Sequence, residues 1–177
     1  HWQEARAYLA DLVAEDGGPL AQEAEVLLEA ARLAAAAEEV RALAARAVDS
    51  TRSAPLLHAA HLLLGDSYFA EGLYLTAAGE YDLAARYAPA REPETAGLKR
   101  ARSLLASGDA EEAIEAYESM IENSAAADEE RPAAMLGLGI SLLEAGRADE
   151  AAHQLEMTAE AHRENPIRVK ALSAAAR

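Results

Sequence analysis

Three glycines constrain this chain more than any other feature. Gly72, Gly108 and Gly146 stand 36 and 38 residues apart, and each separates two stretches whose apolar residues recur with helical periodicity. A unit of that length is one helix pair, too small to bury its own apolar face. It must stack on its neighbours, so regular recurrence of the break predicts an array of helical hairpins. Composition agrees. Alanine supplies roughly a quarter of the 177 residues, leucine is the main large apolar type, and aromatics are only 5%, a balance that favours helices over sheets. The hydrophobic share of 51% is enough for a continuous core.

Charge and chemistry narrow the function classes. Sixteen Lys and Arg against 31 Asp and Glu leave a net charge of −15, a field that repels nucleic-acid backbones and anionic lipid surfaces. The absence of cysteine removes disulfides, thiolate metal sites and Cys nucleophiles. The longest uncharged run, Ser53 to Gly65, is too short to span a bilayer, so no direct membrane insertion by this segment is expected. The chain opens on His1, which reads as an excised segment, and lysine occurs only at Lys99 and Lys170 in an Ala/Arg-rich background, which suggests a GC-rich bacterial source.

Residues around the first glycine define a hairpin. His61, Leu64-Gly65 and Tyr68 precede Gly72, and Ala77, Tyr81, Ala84 and Pro89 follow it. Gly65 inside a helix admits a close neighbour, Ala77 and Ala84 supply small contact points, and Tyr68 and Tyr81 are expected to fill the space between the two helices. Gly72 suits a left-handed cap. A 36-residue shift places Ala101, Leu104, Gly108, Ala113, Tyr117, Met120 and Ala125 on these offsets, and a further 38 gives Met135, Leu138-Gly139, Leu142, Gly146, Ala151 and Leu155.

This pattern resembles the tetratricopeptide repeat, whose signature is W-x2-L-G-x2-Y, A-x3-F and P, with His61 in the Trp place and Tyr81 in the Phe place. The resemblance implies an all-α, right-handed solenoid of antiparallel helix hairpins forming one domain over 1–177: degenerate N-terminal helices in 1–53, repeats in 54–90, 91–127 and 128–166, and a terminal helix in 167–177. Before Ala54, amphipathic patterns run over Trp2–Glu15 (closed by Gly17-Gly18-Pro19), Leu20–Leu33 and Ala36–Val48. No breaker separates the last two. Two antiparallel helices are preferred there because a lone 30-residue helix would leave its apolar stripe in water. The expanded periods are similar to those of bacterial cell-envelope members, the Tol-Pal-associated and outer-membrane-assembly accessory proteins, which leans the localisation toward the periplasm while leaving the cytoplasm open.

Each candidate for chemistry has a competing structural explanation. His58 and His61 share a helical face but find no third ligand, so packing is preferred over a metal site. Glu150 and His153 form an E-x-x-H pair without the second pair that a di-iron bundle needs. Gly65-Asp66-Ser67 resembles the nucleophile block of one esterase family, in which Leu follows and a strand precedes; here Tyr68 follows and a helix surrounds it. Glu111, Glu115, Glu118 and Glu122 form a carboxylate stripe, read as a solvated face with no basic partner beside it. No phosphate loop, dinucleotide fingerprint or catalytic triad is recognisable, so no enzyme activity, cofactor or metal is expected.

The resemblance also implies a binding surface. In such arrays the first helix of each hairpin lines the concave face, and its contact offsets fall on Leu62, Asp66, Phe69 and Ala70; on Leu98, Lys99, Arg102, Leu105 and Ala106; and on Leu136, Ile140, Leu143 and Glu144. The Lys/Asn clamp of chaperone-tail binders is absent at Leu62, Asp66, Leu136 and Ile140. What remains is an apolar groove with a basic spot at Lys99, Arg100 and Arg102, suited to a partner peptide or helix with hydrophobic anchors and an acidic group, or else covered by the chain's own helices. The expected function is a protein–protein interaction scaffold or adaptor, with a sensor or regulatory module of a larger signalling or transcription protein as the alternative. Oligomeric state stays open.

Overall fold

The computed structural model describes residues 20–33, 36–88, 93–123, 130–161 and 167–175. Among the described residues there are nine helices and no strand: α1 (Leu20–Leu33), α2 (Ala37–Ser50), α3 (Ala54–Ala70), α4 (Tyr74–Tyr87), α5 (Pro93–Ser107), α6 (Ala110–Asn123), α7 (Arg131–Glu144), α8 (Ala148–Ala161) and α9 (Ile167–Ala175). The helix expected over Trp2–Glu15, its Gly17-Gly18-Pro19 stop, and Pro89, Ala125 and Pro166 lie outside the described residues. The chain divides into two compact units, 1–96 and 97–177.

The three glycine turns share one geometry. Gly72, Gly108 and Gly146 have φ of 78°, 93° and 77°, the left-handed region that a Cβ disfavours. In each turn the glycine N–H donates to the carbonyl three residues back, at Phe69, Leu105 and Leu143. The next N–H, of Leu73, Asp109 or Arg147, reaches the carbonyl five back, at Tyr68, Leu104 and Leu142. This double closure is the Schellman motif, which satisfies two of the orphan carbonyls at a helix end. The carbonyls of Leu73, Asp109 and Arg147 then accept the first hydrogen bond of α4, α6 and α8, so the reversal occupies no more than three residues. Pro55 and Pro132 stand in the first turns of α3 and α7, where the missing N–H costs nothing.

In unit 1, α1 packs on α2, and α3 packs on both of them and on α4. Leu27 and Leu28 join Ala47 and Ala60 in one buried cluster, and Ala31, Ala44 and Leu64 form another. The break between α1 and α2 is real: Ala36 is extended at φ −109°, ψ 135°. In α4, Ala77, Tyr81 and Ala84 are buried against α3, and a Cβ on Gly65 would lie 2.5 Å from Tyr81 Cε1. The glycine is there because the tyrosine ring occupies the space a methyl would need.

Tyr68 corrects the expectation that it shares this hairpin core. It is half-buried and packs on the cluster of Ala31, Ala44 and Leu64, with the Arg41 guanidinium 5.5 Å from its ring centre. Three residues along a helix from Gly65 is about 300° of rotation, which turns Tyr68 away from α4 and toward α2.

In unit 2, α6 packs on α7, α7 on α8, and α9 on both α7 and α8. Gly139 repeats the role of Gly65, since a Cβ there would stand 2.5 Å from Leu155 Cδ2. The middle repeat differs. Its equivalent residue is Ala101, fully buried, and Tyr117 lies instead on Gly137 of α7, where a Cβ would stand 2.3 Å from the ring carbon Cζ.

Candidate partner-binding faces

The offsets expected to bind on α3, α5 and α7 are half-buried or exposed, and none of them is fully buried. On α3, Leu62 and Phe69 are half-buried and Asp66 is exposed. Asp66 Oδ1 accepts a 2.6 Å hydrogen bond from the Tyr81 hydroxyl, so the tyrosine that fills the hairpin also ties its tip to this face. Phe69 meets Tyr74 edge-on, with ring centres 5.1 Å apart. On α5, Leu98, Lys99 and Leu105 are half-buried and Arg102 is exposed. Leu98, Arg102 and Leu105 follow i, i+4, i+7 spacing, which puts them on one stripe.

On α7, Leu136, Ile140 and Leu143 are half-buried. Leu136 and Leu143 pack against Leu155, Ala159 and Ala171, a cluster to which α9 also brings Ala174 and Ala175. The chain's own last helix therefore takes up part of these two side chains.

Burial pushes the Tyr117 phenol up from 10.0 to about 12, with the nearby Arg102 charge pulling the other way. Arg102 thus lies within electrostatic reach of Tyr117, a large side chain that packs α6 on Gly137 of α7, a proximity that spacing alone does not reveal.

The Gly65-Asp66-Ser67 block and the His58 and His61 pair are taken up by contacts between helices, whereas Glu150 and His153 are exposed. Ser67 Oγ donates to the Ala37 carbonyl and accepts from Arg41 Nη1, both at 3.2 Å, and Gly65 lies under the Tyr81 ring. His58 Nδ1 is 2.8 Å from the Ala84 carbonyl. His61 Nδ1 is 2.8 Å from Glu80 Oε2, and its ring stacks on Tyr87 at 5.8 Å. Both histidines thus face α4. Among the described residues no group of three or more His, Asp or Glu side chains is arranged to hold a metal ion, and no helix is long and apolar enough to cross a membrane.

The carboxylate stripe on α6 requires a correction, because it does have a basic partner. Arg147, in the turn between α7 and α8, reaches Glu111 Oε2 at 3.5 Å and holds both oxygens of Glu150, at 2.8 and 2.7 Å. The bidentate bond to Glu150, followed by the charges of Glu111 and Glu118, holds the guanidinium above its ordinary value, and the same bond lowers Glu150. In unit 1 Arg41 plays a similar part, bonding Glu71 at 2.6 Å, a contact that raises its pKa. Neither arginine stands out in the sequence. Their distant partners, Glu111 and Glu71, lie 36 and 30 residues away, close to one repeat length, and that spacing is the signal that could have found them.

Serial antiparallel hairpins, glycine-capped turns and interlocking small and aromatic residues define the class: an all-α helical-repeat protein. Residues 104–176 match the family model described as Tetratricopeptide repeat. No curated protein sequence matches. Solved structures share the fold. MamA aligns with a TM-score of 0.74 at 17% identity, covering 92% of this chain and 90% of MamA. The nearly identical TPR-like repeats of a Podosopora anserina protein described as a kinesin light chain align at 0.71 and 22%, covering 91% and 86%. YrrB aligns at 0.63 and 19%, covering 97% and 80%. The sequence thus matches the tetratricopeptide repeat over 104–176, and the chain shares its helical-repeat fold with these structures over nine-tenths of its length.

Proposed function

We propose that this chain is a non-catalytic scaffold or adaptor that holds a peptide or helix of another protein against the partly exposed side chains expected to line the groove on its first helices. The observation that carries the reading is the α5 stripe. Leu98 and Leu105 stay half-exposed beside Lys99 and Arg102, in a chain that is otherwise strongly acidic. Apolar side chains that remain partly in water can gain by burial against a ligand, and adjacent cations orient an acidic one. Leu62 and Phe69 on α3 and Ile140 on α7 offer the same kind of contact on their own helices. YrrB, which shares the fold, is described as a TPR protein with an unusual peptide-binding site, and that supports a peptide ligand here by analogy of fold.

Selection of ligands from a random peptide library tests this. Selected peptides should combine hydrophobic anchors with at least one acidic residue. Leu105→Glu should weaken them more than tenfold, and Lys99→Glu with Arg102→Glu should weaken them at low salt but much less at high salt. Folded variants that bind like the wild type would move the binding face elsewhere.

A further inference from the structure

The same six places recur on the exposed side of each second helix, and one helix of the three fills them differently. Shifts of 36 and then 38 residues carry Leu75, Thr76, Gly79, Asp82, Leu83 and Arg86 of α4 onto α6 and α8. All six are exposed on α6 and on α8, and on α4 only Asp82 and Leu83 are half-buried. In α6 five of them are carboxylates, Glu111, Glu112, Glu115, Glu118 and Glu122, and in α8 four are, Asp149, Glu150, Glu156 and Glu160. The α4 set has one carboxylate, Asp82, which pairs with Arg86 at 2.7 Å. Its six places are formally neutral.

Two features of this face serve no packing inside the chain. Leu75 is 61% exposed. Gly79 stands in the middle of the helix, where glycine is less favourable than alanine, and a Cβ there would meet nothing within 4 Å. Gly65, Gly137 and Gly139, by contrast, each lie under a side chain of another helix. Leu75, Gly79 and Leu83 follow one another at i, i+4 and i+8, which puts them in one row along α4. The row is a low point between two leucines, the shape that admits another helix at short distance.

We propose that this face of α4 is a self-association surface, on which α4 of a second copy crosses antiparallel with the two-fold axis at Gly79. The row is symmetric about its glycine, which a second copy requires and a different partner does not. Around that axis Leu75 of each helix comes level with Leu83 of the other, because both stand four residues from Gly79. Arg86 and Gly72 both stand seven residues away, so each Arg86 comes level with the other copy's Gly72 turn. There the C-terminal end of α3 attracts a cation. Such an isologous contact is the common form of pairing between identical chains. Charge selects the same face. Each copy carries −15, and two such chains approach best where the surface is neutral, whereas α6 or α8 would set carboxylates against carboxylates. The place is not that of a missing repeat, since α4 already has its hairpin partner α3.

Sedimentation equilibrium of the 177-residue protein, from micromolar to millimolar concentration, tests the proposal. A single helix crossing is a smaller contact than the roughly 1,200 Å² that a stable complex buries, so a monomer–dimer equilibrium with a dissociation constant of about 0.1 mM is expected. Leu75→Glu, at an exposed side chain and with unchanged helical circular dichroism, should weaken the dimer at least tenfold. Gly79→Leu raises the helix propensity of α4 and should stabilise the monomer, yet it fills the crossing point and should abolish the dimer. Added salt should tighten association several-fold, because it screens the repulsion between two acidic chains. Amide chemical shifts that change with concentration should centre on α4 and the Gly72 turn. A monomer at millimolar concentration, or a dimer that Leu75→Glu or Gly79→Leu leaves unchanged, overturns the proposal. So does a dimer that salt weakens, or one whose shifts centre on another helix.

Discussion

The hairpin α3–α4 and the hairpin α5–α6 place a tyrosine at the same position of the second helix and use it differently. Tyr81 lies over Gly65 of its own first helix and bonds Asp66 there. Tyr117 faces Gly137 on the following first helix. The residue equivalent to Gly65 is Ala101, whose methyl stands where Gly65 leaves space for a ring. One hydrogen-to-methyl change thus accompanies a change from a ring that closes a hairpin to a ring that joins one hairpin to the next. In a repeat array stability is a sum of terms within repeats and between neighbours, and these two tyrosines fall on opposite sides of that division.

The largest test removes each ring. Tyr81→Ala and Tyr117→Ala should each cost about 3 to 5 kcal/mol in chemical denaturation, the range for buried large-to-small aromatic changes. Hydrogen exchange separates them: Tyr81→Ala should lower protection in α3 and α4, whereas Tyr117→Ala should lower it in α6 and α7. If protection in α7 survives Tyr117→Ala, the ring does not join the hairpins.

A pH titration gives a smaller effect on Tyr117. Burial raises its folded pKa from 10.0 to about 12, so the folded state keeps its proton while the unfolded chain releases it. The favourable difference is fully present below pH 10 and is lost as pH rises to 12, a loss on the order of 2 to 3 kcal/mol at about 1.4 kcal/mol per unit. Denaturation midpoints measured from pH 8 to pH 12 should show this fall, and Tyr117→Phe should remove it.

Glycine substitutions give the smallest and sharpest comparison. Gly137→Ala gains about 1 kcal/mol of helix propensity but must displace the Tyr117 ring, for a net cost of about 1 to 3 kcal/mol. Tyr117→Leu should relieve that cost, and it should do nothing for Gly65→Ala. Gly79→Ala, in the exposed middle of α4 where an added Cβ meets nothing within 4 Å, should instead stabilise by roughly 0.5 to 1 kcal/mol. A thermal-melt series of the four variants checks the signs.

The candidate faces are only partly legible in the sequence. Helical spacing is sufficient to put Leu98, Arg102 and Leu105 on one stripe, because side-chain direction along a helix follows from its 3.6-residue turn. It does not show that Leu136 and Leu143 share their contacts with α9, since that depends on where a helix some thirty residues later comes to lie. The partner of the α6 carboxylates escapes the sequence for the same reason: Arg147 is remote along the chain and becomes a neighbour only when hairpins stack.

What the sequence determined by itself is local. Glycine at 72, 108 and 146 is the residue that adopts positive φ without a steric penalty, and small residues at 65, 77, 84, 113, 139 and 151 permit close helix contact, so hairpins, turns and repeat length follow from residue type and spacing alone. The tertiary structure decided the rest. Residues 20–50 contain no helix breaker, yet the chain divides at Ala36, where two short helices bury Leu27, Leu28, Ala44 and Ala47 in clusters with Ala60 and Leu64 of α3. Tyr68 turned to α2, and Tyr117 to Gly137, by the same rule. A residue's own spacing sets the direction in which its side chain leaves the helix, but which surface waits in that direction is set by the packing of segments distant in the chain.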